Sequence, residues 1–252
     1  MKNVDYKSLG FSEINPTRNY QKELDRKLKN LDGVPRLLLH SCCGPCSSYC
    51  LEYLSEYFEV TVFYYNPNIY PSEEYDERIE EQKKIIRHTD AKHPIHLIEG
   101  DYDTARYYAA VRGLEKEPEG GKRCVECFQL RLDEAAKLAD EFGFDYFTTT
   151  LTISPHKDSH LLNAIGHRAA ERYGARWLDT DFKKKNGYRR SVEITQELGI
   201  YRQDYCGCIF SKKEPEERML QNRRSDEGNH GKNRTDCVTG ESGEAFPVTE
   251  DS

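Results

Sequence analysis

Long hydrophobic runs are missing from this 252-residue chain. No stretch approaches the roughly 18–20 apolar residues that cross a bilayer, so no membrane partner is expected. No apolar run follows the polar start Met1-Lys2-Asn3-Val4-Asp5. No secretory leader is therefore read there, and a cytoplasmic location is expected. An excess of positive charge is lacking too. The 37 lysines and arginines against 44 acids leave a net charge of −7. That argues against broad, charge-driven nucleic-acid binding but allows a local basic patch. No glycine-rich phosphate loop occurs, so ATP is not expected. No internal repeat is visible.

What the chain does have is cysteine. It has nine, and eight fall into three tight groups. The first is His40-Ser41-Cys42-Cys43-Gly44-Pro45-Cys46, with Cys50 one helical turn later. The second is Cys124-Val125-Glu126-Cys127, and the third is Tyr205-Cys206-Gly207-Cys208. The length suffices to bury a real core, so disulfides are not needed to hold the fold. In a reducing compartment, clustered thiols read as metal ligands or redox groups.

Short apolar or β-branched runs predict strands at residues 37–40, 60–65, 95–98, 146–151 and 175–178. Helical spacing predicts helices near residues 19–31, 47–57, 72–88, 102–112, 125–142, 162–173 and 191–198. The alternation implies an α/β fold, a Rossmann-like, mostly parallel sheet flanked by helices, with flexible termini. Residues 1–34 read as an appendage and 35–211 as the α/β domain. Residues 212–252, rich in Gly, Asn, Ser and charge, read as a disordered tail in which Cys237 is incidental. In such sheets function gathers at the carboxyl ends of the strands, and the first cysteine group directly follows the first strand.

Cys124 and Cys127 stand three apart at a helix start, which puts both sulfurs on one face and favours the thiolate form. Adjacent Cys42 and Cys43 suit a polynuclear cluster, which offers several irons in different directions. Cys43 and Cys46 with Cys124 and Cys127 would equally make a four-cysteine zinc site. Cys43-Gly44-Pro45-Cys46 also matches the thioredoxin pattern between strand and helix. That reading leaves the other cysteines without roles, and no tryptophan precedes the first cysteine. A bond between Cys206 and Cys208 would close a very small, strained ring, suited to a redox relay. Alternatively both are metal ligands. Cys50 reads as a packed core thiol.

The body from Arg36 to Ser211 resembles the QueH type of epoxyqueuosine reductase. The likeness is carried by the three cysteine motifs, by Asn66-Pro67-Asn68-Ile69, by Lys122-Arg123 before the second pair, and by Thr149-Thr150-Leu151-Thr152-Ile153-Ser154-Pro155. It implies kinship with the nucleotide-hydrolase-like sheet folds. It also implies the last step of queuosine synthesis without cobalamin: the epoxide of epoxyqueuosine at the tRNA wobble position takes two electrons and two protons, giving queuosine and water. It further implies 4Fe–4S ligands at Cys42, Cys43, Cys124 and Cys127, and a redox-active disulfide pair at Cys206 and Cys208. A separate iron beside the cluster, in which Cys46 could take part, and an external electron donor complete the expectation.

Candidate proton donors are His40, Asp204 and Tyr205. Candidate tRNA contacts are Lys122, Arg123, Lys157, Lys183, Lys184, Lys185, Arg189, Arg190 and Arg202, with Tyr64, Tyr65, Tyr70 and Tyr188 available to stack bases. The helix start at Ser154-Pro155-His156-Lys157 is a candidate anion site. The rival functions are a thioredoxin-like oxidoreductase and a zinc-stabilised RNA-binding protein.

Overall fold

A computed structural model describes residues 4–213. The expected tail, with Cys237, lies almost wholly outside the described residues. Four strands, β1 (Arg36–His40), β2 (Glu59–Tyr64), β3 (Ile95–Glu99) and β4 (Tyr146–Thr149), form an all-parallel sheet in the order β3-β2-β1-β4. The helices are α1 (Tyr20–Lys29), α2 (Gly44–Leu54), α3 (Ser72–His88), α4 (Thr104–Ala110), α5 (Lys122–Glu141), α6 (Ser159–Tyr173) and α7 (Gly187–Glu197). None of them is long and apolar enough to cross a membrane.

Strand alternation sends neighbouring side chains to opposite faces. Leu38 therefore joins Phe63, Phe147 and the inner faces of α5 and α6. Leu37 and Leu39 join Val60, Val62 and the apolar residues of α1, α2 and α7. Both faces are covered, so the middles of the central strands are mostly apolar, as expected of a parallel sheet.

Two expectations change. The fifth strand shrinks to a single bridge between Phe147 and Trp177. Trp177 sits over Gly166, where any β-carbon would lie 2.3 Å from its ring, and it bonds Asn163 through Nε1 at 2.9 Å. Packing of one large ring, with two backbone hydrogen bonds of 2.9 Å between Phe147 and residues 176 and 178, holds this segment in place of a longer ladder. Residues before Pro35, read as an appendage, also bury apolar side chains in the body. Phe11 lies in one core, Leu24 and Leu28 in the other, and Tyr20 is buried as well. The many charges of α1 occupy its outer face and masked the few residues that dock it.

Candidate metal and thiol centre

β1 is the switch point of the sheet, because β2 pairs on one side of it and β4 on the other. The loop after such a strand opens into a crevice. Here it is fixed from several directions. The Ser41 N–H donates to Phe63 O at 2.9 Å, Asn66 Nδ2 donates to Ser41 O at 2.8 Å, and Ser41 Oγ donates to Gln82 Oε1 at 2.6 Å. Helix α2 starts at Gly44, three residues before the sequence suggests, with Pro45 in its first turn. A β-carbon on Gly44 would stand 2.8 Å from Glu81 O, so only glycine lets α2 approach α3 this closely. The early start draws Cys46 back over the loop. The sulfurs of Cys42, Cys43 and Cys46 all lie within 4.8 Å of one another, with Cys42 and Cys43 at 3.7 Å.

Three thiols this close, two of them buried, do not ionise independently. Hydrogen bonding with Cys43 and Cys46 holds the Cys42 pKa below the usual thiol range. Burial, with the neighbouring Cys42, pushes Cys43 up to about 12. Cys46 moves up because Cys42 and Cys43 favour its protonated form. The three thiols thus share their protons as one set, and a metal would displace those protons.

The second and third cysteine groups meet elsewhere. Cys124 and Cys127, in the first turns of α5, and Cys206 and Cys208 line one narrow cavity together with Asn68, Tyr107 and Phe128. Burial raises Cys124 to about 12 and Cys127 to about 11. The Gly120 N–H points at the Cys124 sulfur, 3.3 Å away. Two cations lie between the thiol sets. Arg131 feels Cys127, Cys206 and Cys42, while Lys157 feels Cys206, Cys42 and Cys46. Arg131 is buried; among the described residues it donates only to neutral partners, Cys127 O at 3.2 Å and Asn66 Oδ1 at 3.3 Å, and its Nη2 has no partner there. A buried guanidinium without a carboxylate calls for negative charge nearby. Sulfurs are soft donors, and the two sets of them, three in the first loop and four around the cavity, would supply that charge on binding iron, so the residue types present fit an iron–sulfur group.

The other candidates sort clearly. His40 is buried; its Nε2 faces Tyr65 O at 3.2 Å and its Nδ1 faces Thr149 Oγ1 at 2.8 Å. Burial drives its pKa down to about 3, so it is a neutral structural residue rather than an acid. Tyr205 donates its hydroxyl to Tyr70 O at 2.7 Å, and burial raises it to about 12. Asp204 is exposed. Cys50 is buried and donates to Cys46 O at 3.2 Å, as a core thiol does.

The basic run is committed to intramolecular pairs: Lys183 to Asp181, Lys185 to Asp25, Arg189 to Glu193 and Arg190 to Glu52. Arg202 is held by Ser191 O and Thr195 Oγ1. Arg123 is buried, donates to the carbonyls of Glu115 and Glu117, and stacks on Phe210. Lys122 and Lys184 are exposed, as are Tyr70 and Tyr188, whereas Tyr64 and Tyr65 are core. The expected anion site is capped from within, because Asp158 precedes α6 and accepts the Leu161 N–H at 2.9 Å.

Sequence reasoning missed Arg131, Arg78 and Gln203. Arg131 stands one helical turn after Cys127, a spacing that carries a signal. Gln203 and Arg78 have none, because folding alone brings them to the thiols.

Comparison with known proteins returns a family model described as epoxyqueuosine reductase QueH, matching residues 37–214. Similar proteins named epoxyqueuosine reductase QueH include one from Streptococcus pyogenes serotype M1, 44% identical over 209 residues and covering 80% of this chain and 82% of that protein. Another, from Staphylococcus epidermidis, is 41% identical over 200 residues, with 77% and 84% covered. A third, from Thermotoga maritima, is 36% identical over 188 residues, with 72% and 93% covered.

Proposed function

Since this chain belongs to the epoxyqueuosine reductase QueH family, we propose that it reduces epoxyqueuosine to queuosine within tRNA, using a 4Fe–4S cluster held by Cys42, Cys43, Cys124 and Cys127. The observation that carries the reading is the Cys42-Cys43-Cys46 triad, two of its thiols buried and one half-buried, at the carboxyl end of β1, near two cations that have no carboxylate partner among the described residues. When bound, the iron–sulfur group would supply electrons, and an iron beside it, reached by Cys46, would supply Lewis acidity toward the epoxide oxygen.

The chain's own residues do the rest. Arg131 and Lys157 hold positive charge against the thiolates and restrain the sulfurs from reprotonation. The cavity that Cys124 and Cys127 share with Cys206 and Cys208 supports a role for the latter two as the redox-active pair that exchanges electrons with the site. Deoxygenation of the epoxide takes two electrons and two protons and releases water. An external donor and a cytoplasmic setting complete the proposal. The rival readings weaken. Thioredoxin chemistry would use Cys43 and Cys46 alone, yet Cys42 shares their protons.

The test is anaerobic purification with iron and sulfide analysis, followed by nucleoside mass after reaction with tRNA carrying the epoxide. Iron, sulfide and turnover together support the assignment. A colourless zinc protein without turnover refutes it. Cys124→Ala should lose both iron and sulfide, whereas Cys46→Ala should lose about one iron and keep the sulfide.

A further inference from the structure

The segment from Ile200 to Ser211 carries the third cysteine pair but contains no strand, and its backbone carbonyls need partners from elsewhere. Arg78, on α3, supplies them. Its guanidinium is 2% exposed and donates through Nη1 to Cys206 O at 3.2 Å and through Nη2 to Tyr205 O at 3.4 Å. Its Nε is anchored on Glu74 at 2.7 Å, and its Cζ lies 5.1 Å from the centre of the Tyr205 ring. Gly207 closes against it with φ +126°, where a β-carbon would come within 2.9 Å of Arg78 Nη1 and 3.2 Å of Ile69 Cγ1. The Tyr70 N–H meets Gly207 O at 2.8 Å from the other side. The same helix holds the first cysteine loop through Gln82 and Ser41. One rigid element therefore carries both thiol loops.

We propose that Arg78 is a positioning residue for the Cys206–Cys208 pair: its two-pronged grip on consecutive carbonyls holds the Cys-Gly-Cys turn beside the cysteine centre. This rests on the reading of Cys206 and Cys208 as a redox pair. Oxidation of that pair breaks two S–H bonds, forms one S–S bond and releases two electrons and two protons. The clamp fixes a backbone in which both stand as thiols, so it favours the dithiol over the disulfide. A lysine would keep the charge but offers one nitrogen where the fork offers two. Alanine at Gly207 would leave Arg78 intact but obstruct the turn.

The test equilibrates the anaerobically purified protein with glutathione buffers of set ratio. Oxidised glutathione accepts the electrons and protons and leaves as two thiols. The mixture is quenched with an alkylating agent, and the peptide bearing Cys206 and Cys208 is weighed. Arg78→Lys and Gly207→Ala should each raise the disulfide-to-dithiol ratio at fixed poise about tenfold. Each should also lower kcat about tenfold while the KM for tRNA stays within about twofold. If both variants match wild type in ratio and kcat, the proposal is overturned. If wild type forms no Cys206–Cys208 disulfide at any poise, the redox pair itself fails and the proposal falls with it. Absence of epoxide reduction would instead refute the activity and leave the thiol measurement standing. The pair of variants keeps the test open should Arg78→Lys fail to fold.

Discussion

Gln203 Nε2 donates a hydrogen bond to the sulfur of Cys43 at 2.9 Å, joining the third cysteine segment to the first across 160 residues of chain. An N–H aimed at a sulfur stabilises negative charge there, and such bonds tune the potential of sulfur-ligated iron. Gln203→Leu should keep its iron but shift the reduction potential more negative by on the order of 50 mV, close to one tenfold change for a one-electron couple. Redox titration followed by absorbance checks this; an unchanged potential would remove Gln203 from the electronics of the site.

Cys50 separates core thiols from ligands. It is buried among the residues of α2 and packs with Leu37, Leu39 and Leu51. Cys50→Ala should retain full iron and sulfide and lose about 1 kcal/mol of stability through the small void created. Metal analysis beside urea denaturation measures both, and loss of iron would make Cys50 part of the centre.

Asp25 ties α1 to the body. It accepts hydrogen bonds from Lys185 at 2.6 Å, Gln21 at 3.0 Å and the Tyr53 hydroxyl at 3.2 Å. Burial alone would raise its pKa, but the bonds from Lys185 and Gln21 outweigh it and hold the carboxyl below its usual 3.8. The sign follows directly. The folded state binds the proton less readily, so the stabilisation is full above pH 3.8 and is lost as pH falls through the lower folded value. Asp25→Ala should be about 1 kcal/mol less stable at neutral pH, a modest figure because Lys185 is half exposed. The gap from wild type should close in strong acid. A gap that persists below about pH 2 would mean that packing, not charge, sets it.

Gly166 and Trp177 offer a test of packing. The chain has one tryptophan, so its fluorescence reports directly on this pocket. Gly166→Ala forces a methyl into the indole ring and should cost about 1–3 kcal/mol, with a changed emission of the native state. An unperturbed spectrum and unfolding midpoint would mean that the ring shifts aside freely.

Much of the fold was legible in the sequence because it depends on local periodicity. The strand at residues 60–65 and the helix at 72–88 were found within a residue or two, since β-branched runs and helical spacing act along the chain. The strand at 175–178 was overcalled, because a short apolar run cannot tell a ladder from one anchored tryptophan. The N-terminal segment was undervalued for a related reason: Phe11, Leu24 and Leu28 are a few apolar residues among many charges.

By itself the sequence determined which residues could do chemistry, through thiols grouped at spacings that packing alone does not explain, and it determined the order of strands and helices that places the first group at the end of β1. The tertiary structure decided who stands beside whom. It set Cys46 with Cys42 and Cys43 because Gly44 lets α2 close onto α3, and it gathered Cys124, Cys127, Cys206 and Cys208 around one cavity. It also buried Arg78 and Arg131 and brought them, with the half-buried Lys157, near the thiols. Spacing acts over a few residues, whereas burial and charge depend on neighbours that only the closed chain supplies.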